Sequence, residues 1–209
     1  MQQSLGEFGQ GMTVCSPIAV QVSFARLLWA GVLSPFFCWK AESIPPFSWL
    51  TVIVPRFRKH FIKVLGIYAV HIAVWETFLL RDYQASWALI MEEDAHFGKH
   101  SLQLVSRVLE AAEDLKAVSG RLADVVFLGH CNTNCDGPAV ENLMSNFKLV
   151  WARPLCTHGY LLSRRGAVAL YNHRYPIEGP VDNYIRDLVD IGKLNALALC
   201  PQIVEQRPW

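Results

Sequence analysis

The apolar run Trp87-Ala88-Leu89-Ile90-Met91 stops abruptly at three consecutive carboxylates, Glu92, Glu93 and Asp94, and no other stretch constrains the chain as strongly. An apolar run this short, bounded by polar residues, predicts a buried strand covered on both faces rather than a helix. Its acidic tip then lies where open α/β sheets bind their ligands, beyond the carboxyl ends of the strands. Adjacent acids repel one another, so they are either solvated or share a cation. In an extended chain Glu92 and Asp94 point to one side and Glu93 to the other. Glu92 and Asp94 are therefore a candidate seat for Mg²⁺ or Mn²⁺, hard cations that take oxygen ligands. The competing reading is an ordinary acidic surface loop.

The flanking segments place this strand in a sheet. From Gly66, the residues Ile67, Val70, His71, Val74 and Phe78 recur at spacings of three and four and predict a helix with one apolar stripe up to Arg81-Asp82. His71 on that stripe reads as a hydrogen-bonded core residue and Trp75 as packing. A second helix follows Phe97, with Ser101 as N-cap, Leu102, Val105, Leu109 and Ala112 on one face, and Gly120 at its end. Ala123 to Leu128 is the next apolar strand, and Gly129 to Gly137 is a polar loop. Alternating helix and strand predicts βαβ units, hence an α/β fold with a mostly parallel central sheet. Ser163 can cap a short helix whose start, with Arg164 and Arg165, is a candidate anion site. Asp182 opens a helix after a proline-braced turn; an N-cap and a general base are both open readings.

With 52% apolar residues and a net charge of +1 in 209 residues, the chain reads as one globular domain plus an appendage. So balanced a charge gives no general attraction to nucleic acid, and an anionic ligand needs a local site. The six cysteines show no framework spacing, and a chain this long does not need disulfide staples. A zinc reading of Cys131 and Cys135 would need a second ligand pair, for which His130 and His158 are nearest; ordinary buried or loop thiols are the simpler reading.

Residues 1–63 form an atypical apolar segment. Ile18 to Phe37 is interrupted by Gln21, Ser23 and Arg26 and makes a poor transmembrane helix, with membrane association through residues 16–38 as the alternative. No basic start or small-residue cleavage pattern marks a secretory signal. Trp49 to Val54 reads as a strand ended by Pro55. The basic cluster Arg56, Arg58, Lys59, His60 and Lys63 reads as a solvated face.

Four blocks together carry a resemblance over about residues 64–209. They are Gly66-x-x-x-x-His71-x-x-x-Trp75, the acidic strand, His158-Gly159-Tyr160-Leu161-Leu162-Ser163-Arg164-Arg165-Gly166-Ala167, and Pro180-Val181-Asp182, and Pro201 to Gln206 adds a closing segment. In order and spacing they resemble glycosyltransferase family 25, which includes bacterial lipooligosaccharide galactosyltransferases and collagen galactosyltransferases. The resemblance implies a GT-A type nucleotide-sugar-binding domain. It also implies inverting transfer of a sugar, usually galactose, from a UDP-sugar to a glycan, lipid-linked or protein hydroxyl. The family's Glu-Asp-Asp block falls on Glu92-Glu93-Asp94, which implies a donor site formed by His71, Glu92 and Asp94 with Mn²⁺ or Mg²⁺ on the two acids. Asp182 is then the candidate base. This chain has Ile67 and Val70 where the family usually has Cys and Ser. Nothing in residues 1–64 matches the family's opening Ile-Asn-Leu strand and the Asp-Arg-rich segment after it.

These departures predict a weak or inactive transferase whose contacts are mainly to metal and phosphate. The alternative is a noncatalytic sugar- or partner-binding descendant with an incomplete donor site. A metal-dependent phosphohydrolase fits less well, because the histidines form no second ligand cluster in the sequence.

Overall fold

The computed structural model describes residues 55–81, 85–98, 101–144 and 146–207. The expected strand at Trp49 to Val54 and the apolar stretch at 16–38 lie outside them. Helix α1 spans Pro55–Arg81 and starts earlier than expected, running through Gly66. Pro55 opens this helix, a role suited to its fixed φ and missing N–H. The buried face is Tyr68, His71, Trp75 and Phe78, whereas Ile67 is exposed. The stripe is rotated by about one residue from the expected one, because α1 is apolar around much of its circumference and its large rings decide which side faces inward. By length and composition Lys63–Leu80 could cross a membrane, but its Tyr68, Trp75 and Phe78 pack into the core of this domain.

After α1 come β1 (Trp87–Met91), β2 (Ala95–Phe97), α2 (Ser101–Ser119), β3 (Val125–Cys131), β4 (Glu141–Met144), β5 (Phe147–Trp151) and β6 (Leu155–Ser163). Helices α3 (Arg164–Asn172) and α4 (Val181–Asp190) and strands β7 (Ala196–Cys200) and β8 (Val204–Gln206) complete the described chain. Six strands form one sheet in the order β1-β6-β3-β7-β5-β4, and β2 pairs with β8 separately.

The fold is mixed α/β, but the central sheet is mostly antiparallel, which corrects the expected mostly parallel sheet. Among the described residues only β3 and β7 run parallel; β1–β6, β3–β6, β5–β7 and β4–β5 are antiparallel. The reason is visible between residues 125 and 163, where four strands follow one another with no helix between them. Without a crossover helix, neighbouring strands cannot return to the same direction. Strand β1 is also not covered on both faces. It pairs only with β6, at the sheet's edge among the described residues, with Ile90 buried and Leu89 exposed.

Alternation along β3 and β6 builds two cores. Val125, Phe127, Tyr160 and Leu162 face α1, α3 and α4. Val126, Leu128 and Leu161 face α2, whose Leu104, Val105, Val108, Ala112 and Leu115 are buried. Gly120 ends α2 at φ +71°, as its position predicts. Ser163 caps α3 as expected, accepting a hydrogen bond from Gly166 N at 3.1 Å.

Both arginines after that cap are occupied within the fold. Arg164 donates to Leu79 O and Phe78 O near the end of α1 and lies over the Phe78 ring. Arg165 pairs with buried Asp124 at 2.9 Å. These two side chains fasten α3 to its surroundings.

Register is irregular where β3 meets β6. From Phe127 to Gly129 β3 advances two residues against one in β6, and from Gly129 to Cys131 it advances two against four, from Gly159 back to Leu155. The two extra residues in β6 form a bulge, a device that re-aims side chains. Gly129, opposite it, has no room for a side chain: an added Cβ would lie 2.4 Å from the His158 ring and 2.5 Å from Val204 O. Gly129→Ala is therefore expected to destabilise the domain by about 1–3 kcal/mol, measured as a lower urea midpoint with an unchanged slope.

Two disulfides also lie in this region, Cys131–Cys156 and Cys135–Cys200, with Cα–Cα distances of 5.6 and 5.7 Å. They replace the expected free thiols. Sequence spacing concealed them because the partners are 25 and 65 residues apart and meet only through sheet pairing.

Candidate functional site

Residues 156–158, in the bulge at the start of β6, join three elements. The Cys156 N–H donates to Asp182 Oδ2 at 3.2 Å. The Thr157 hydroxyl donates to Glu92 Oε1 at 2.7 Å. His158 O accepts from Glu92 N at 3.0 Å. Cys156 has φ +67°, a value uncommon for a residue with a side chain. The bulge interrupts strict alternation, so Thr157 reaches the Glu92 carboxylate while Tyr160 still faces α1.

A buried polar chain reaches the same carboxylate from α1. Trp75 Nε1–H donates to the Tyr160 hydroxyl at 3.0 Å, and that hydroxyl is 2.8 Å from His71 Nδ1. With Trp75 as its donor, the tyrosine can give its own proton to Nδ1, which leaves the His71 proton on Nε2. Nε2 is 3.7 Å from Glu92 Oε1, a charge contact longer than a hydrogen bond. His71 is both the core residue its stripe suggested and a neighbour of the acidic turn.

Burial pushes the Tyr160 hydroxyl far above its usual range, so it stays protonated. Burial also raises the Glu92 carboxyl, but the His71 ring beside it, the hydrogen bond from Thr157 and the charge of His158 outweigh it and lower the net value. Glu92 is thereby held as a carboxylate. Tyr160→Phe would leave both Trp75 N–H and His71 Nδ1 without their buried partner. The expected cost is about 1–3 kcal/mol for each group, read from equilibrium unfolding of the variant.

The acidic block is a turn rather than an extended tip. Ala95 N donates to Glu92 O at 3.1 Å, so strand alternation does not govern where these three side chains point. Glu93 is exposed, while Glu92 and Asp94 are partly covered. Asp94 Oδ2 accepts from Gln206 Nε2 at 2.8 Å and Asp94 O from Arg207 N at 3.0 Å. Its Oδ1 is buried with no hydrogen-bond partner.

Asp182 lies in the first turn of α4 but is not its N-cap. That position is Pro180, with no side-chain cap. Oδ1 of Asp182 accepts from Asn183 N at 2.9 Å. Both carboxylate oxygens therefore hold backbone donors, near a helix N-terminus that favours negative charge.

The blocks brought together here, His71 and Trp75 on α1, the acidic turn, Thr157 to Tyr160 and Asp182, all fall within one match. The model of glycosyltransferase family 25 (LPS biosynthesis protein) covers residues 63–185. The chain belongs to glycosyltransferase family 25. No curated protein matches it. Family 25 membership implies a GT-A-like fold, a nucleotide-sugar donor and an acceptor. The match begins within α1 and takes in every residue of the polar chain.

Sequence reasoning assigned no role to Thr157 or Tyr160. Both stood in or beside the family 25 block around His158, but nothing local distinguishes a tyrosine that bonds across the fold from one that packs.

Proposed function

We propose that the chain is a metal-dependent glycosyltransferase that moves a sugar, galactose by family resemblance, from a UDP-sugar to an acceptor hydroxyl with inversion. The observation that carries this reading is the convergence of Glu92 and Asp182 on residues 156–158, inside the segment matched by family 25.

A hard divalent cation fits the donor set. Carboxylate oxygens suit Mg²⁺ or Mn²⁺, and the unpartnered Asp94 Oδ1 is an oxygen with spare capacity. Glu92 and Asp94 would hold the ion, which when bound supplies positive charge against a diphosphate leaving group. Thr157 and His71 fix Glu92, and both contacts fall on Oε1. Asp182 is the proposed base that takes the acceptor proton. Its anchoring to Cys156 N–H holds the carboxylate in one orientation without using a charged partner. Attack from the face opposite the leaving group gives inversion.

Thermal unfolding with UDP-galactose and Mn²⁺ tests the reading. A raised melting temperature supports donor binding, and release of UDP on adding an acceptor supports transfer. No shift would favour a noncatalytic binding descendant. UDP and GDP are expected to bind within about tenfold of each other in the presence of Mn²⁺, roughly 1.4 kcal/mol, because no family-like opening strand is found in the sequence to read the base. Isothermal titration checks this; a much larger uridine preference would show that residues 1–62 complete the pocket.

A further inference from the structure

The thiols and imidazoles beside the bulge form an arrangement that sugar transfer does not use. Cys131, Cys156 and His158 offer ligand atoms within 4.8 Å of one another, and the two sulfurs are joined as a disulfide. His158 is only 4% exposed, yet neither ring nitrogen has a hydrogen-bond partner. Buried polar groups are nearly always paired, and an unpaired one costs about 1–3 kcal/mol. The ring is accommodated by Gly129, where a Cβ would lie 2.4 Å from Nε2.

We propose that Cys131, Cys156 and His158 form a zinc site that replaces the disulfide when the two thiols are reduced. Two thiolates and an imidazole are the donors zinc prefers, with a fourth position left for water. Zinc–ligand distances of roughly 2.0–2.3 Å put the ligand atoms within about 4 Å of one another, so the sulfurs need only separate from their bond. The bridge and the ion exclude each other, since both need the same sulfurs.

The exchange balances. A dithiol reductant gives two electrons and two protons to the sulfur–sulfur bond, leaving two protein thiols and an oxidised reductant. Zn²⁺ then binds the two thiolates and the imidazole, and two protons leave. The neighbouring trio His130, Cys135 and Cys200 has the same donor types. There, however, His130 Nε2 is already 3.0 Å from Leu199 O. The unpartnered imidazole belongs to the first trio, and the proposal is confined to it. It does not depend on the transferase reading.

The test uses the full chain, reduced with a phosphine, alkylated with iodoacetamide with and without one equivalent of Zn²⁺, and mapped by peptide mass. Zinc is expected to slow alkylation of Cys131 and Cys156 by about tenfold or more, and the disulfide-bonded chain should take up no zinc there. In His158→Gln the protection should be lost. Equal alkylation of Cys131 and Cys156 with and without zinc would overturn the proposal, as would protection confined to Cys135 and Cys200 or full protection in His158→Gln. If that variant does not fold, the wild-type alkylation map still decides.

Discussion

Replacing Asp182 by Asn is expected to lower turnover by about 10² to 10⁴ while leaving the fold intact. Asn keeps one carbonyl oxygen that can accept the Cys156 N–H bond now made to Asp182 Oδ2 and gives up the acceptor for Asn183 N–H, a loss of about 1 kcal/mol, but it cannot take a proton from an acceptor hydroxyl. Asp182→Ala adds a structural loss, because Cys156 N–H loses its partner at a cost of about 1 kcal/mol. Since Pro180 occupies the cap position, no helix-capping loss confounds the Asn variant. Steady-state transfer rates together with urea unfolding separate the two effects. Wild-type turnover in Asp182→Asn would remove the residue from the chemistry.

Asp94→Asn is expected to weaken Mn²⁺-dependent UDP binding by at least about tenfold, roughly 1.4 kcal/mol, whereas Glu93→Gln should bind almost as wild type does. The Asn side chain preserves shape and can still accept from Gln206, but it lacks the charge that holds a hard cation. Glu93 is exposed on the turn. Titrating UDP with Mn²⁺ into each variant compares them. Equal losses would show that the turn presents all three acids to the ion.

Features set by neighbouring residues were legible in the sequence, and features set by distant ones were not. The strand before the acids, the Gly120 helix end and the Ser163 cap depend on a few adjacent residues, and each is where local chemistry puts it. Sheet direction depends on which strands meet, and periodicity carries no such information, so the expected parallel sheet was mistaken. The same limit hid Tyr160, whose hydroxyl serves side chains 85 and 89 residues earlier. It hid the disulfides as well. The two arginines could be read locally as an anion site, but only the packing shows that Asp124 and the carbonyls of α1 already engage them. The family blocks worked better than any local rule because their order encodes contacts that no single window contains.

The register break in β6 divides the strand into two stretches with different work. On its Ser163 side, the side chains stay in phase with β1 and β3 and fill two cores. On its Leu155 side, Thr157 turns toward Glu92. Deleting two residues between Leu155 and Gly159 would let β6 pair evenly with β3 from Gly129 to Cys131. Such a chain would keep the two helix-facing layers of the sheet while losing the segment that carries Thr157 to the carboxylate. Strand order and site geometry are thus separable here, because β6 pairs with β1 and β3 from Tyr160 to Ser163 while residues 156 and 157 reach the two carboxylates, so a change of length at this point would move those contacts and leave the strand order in place.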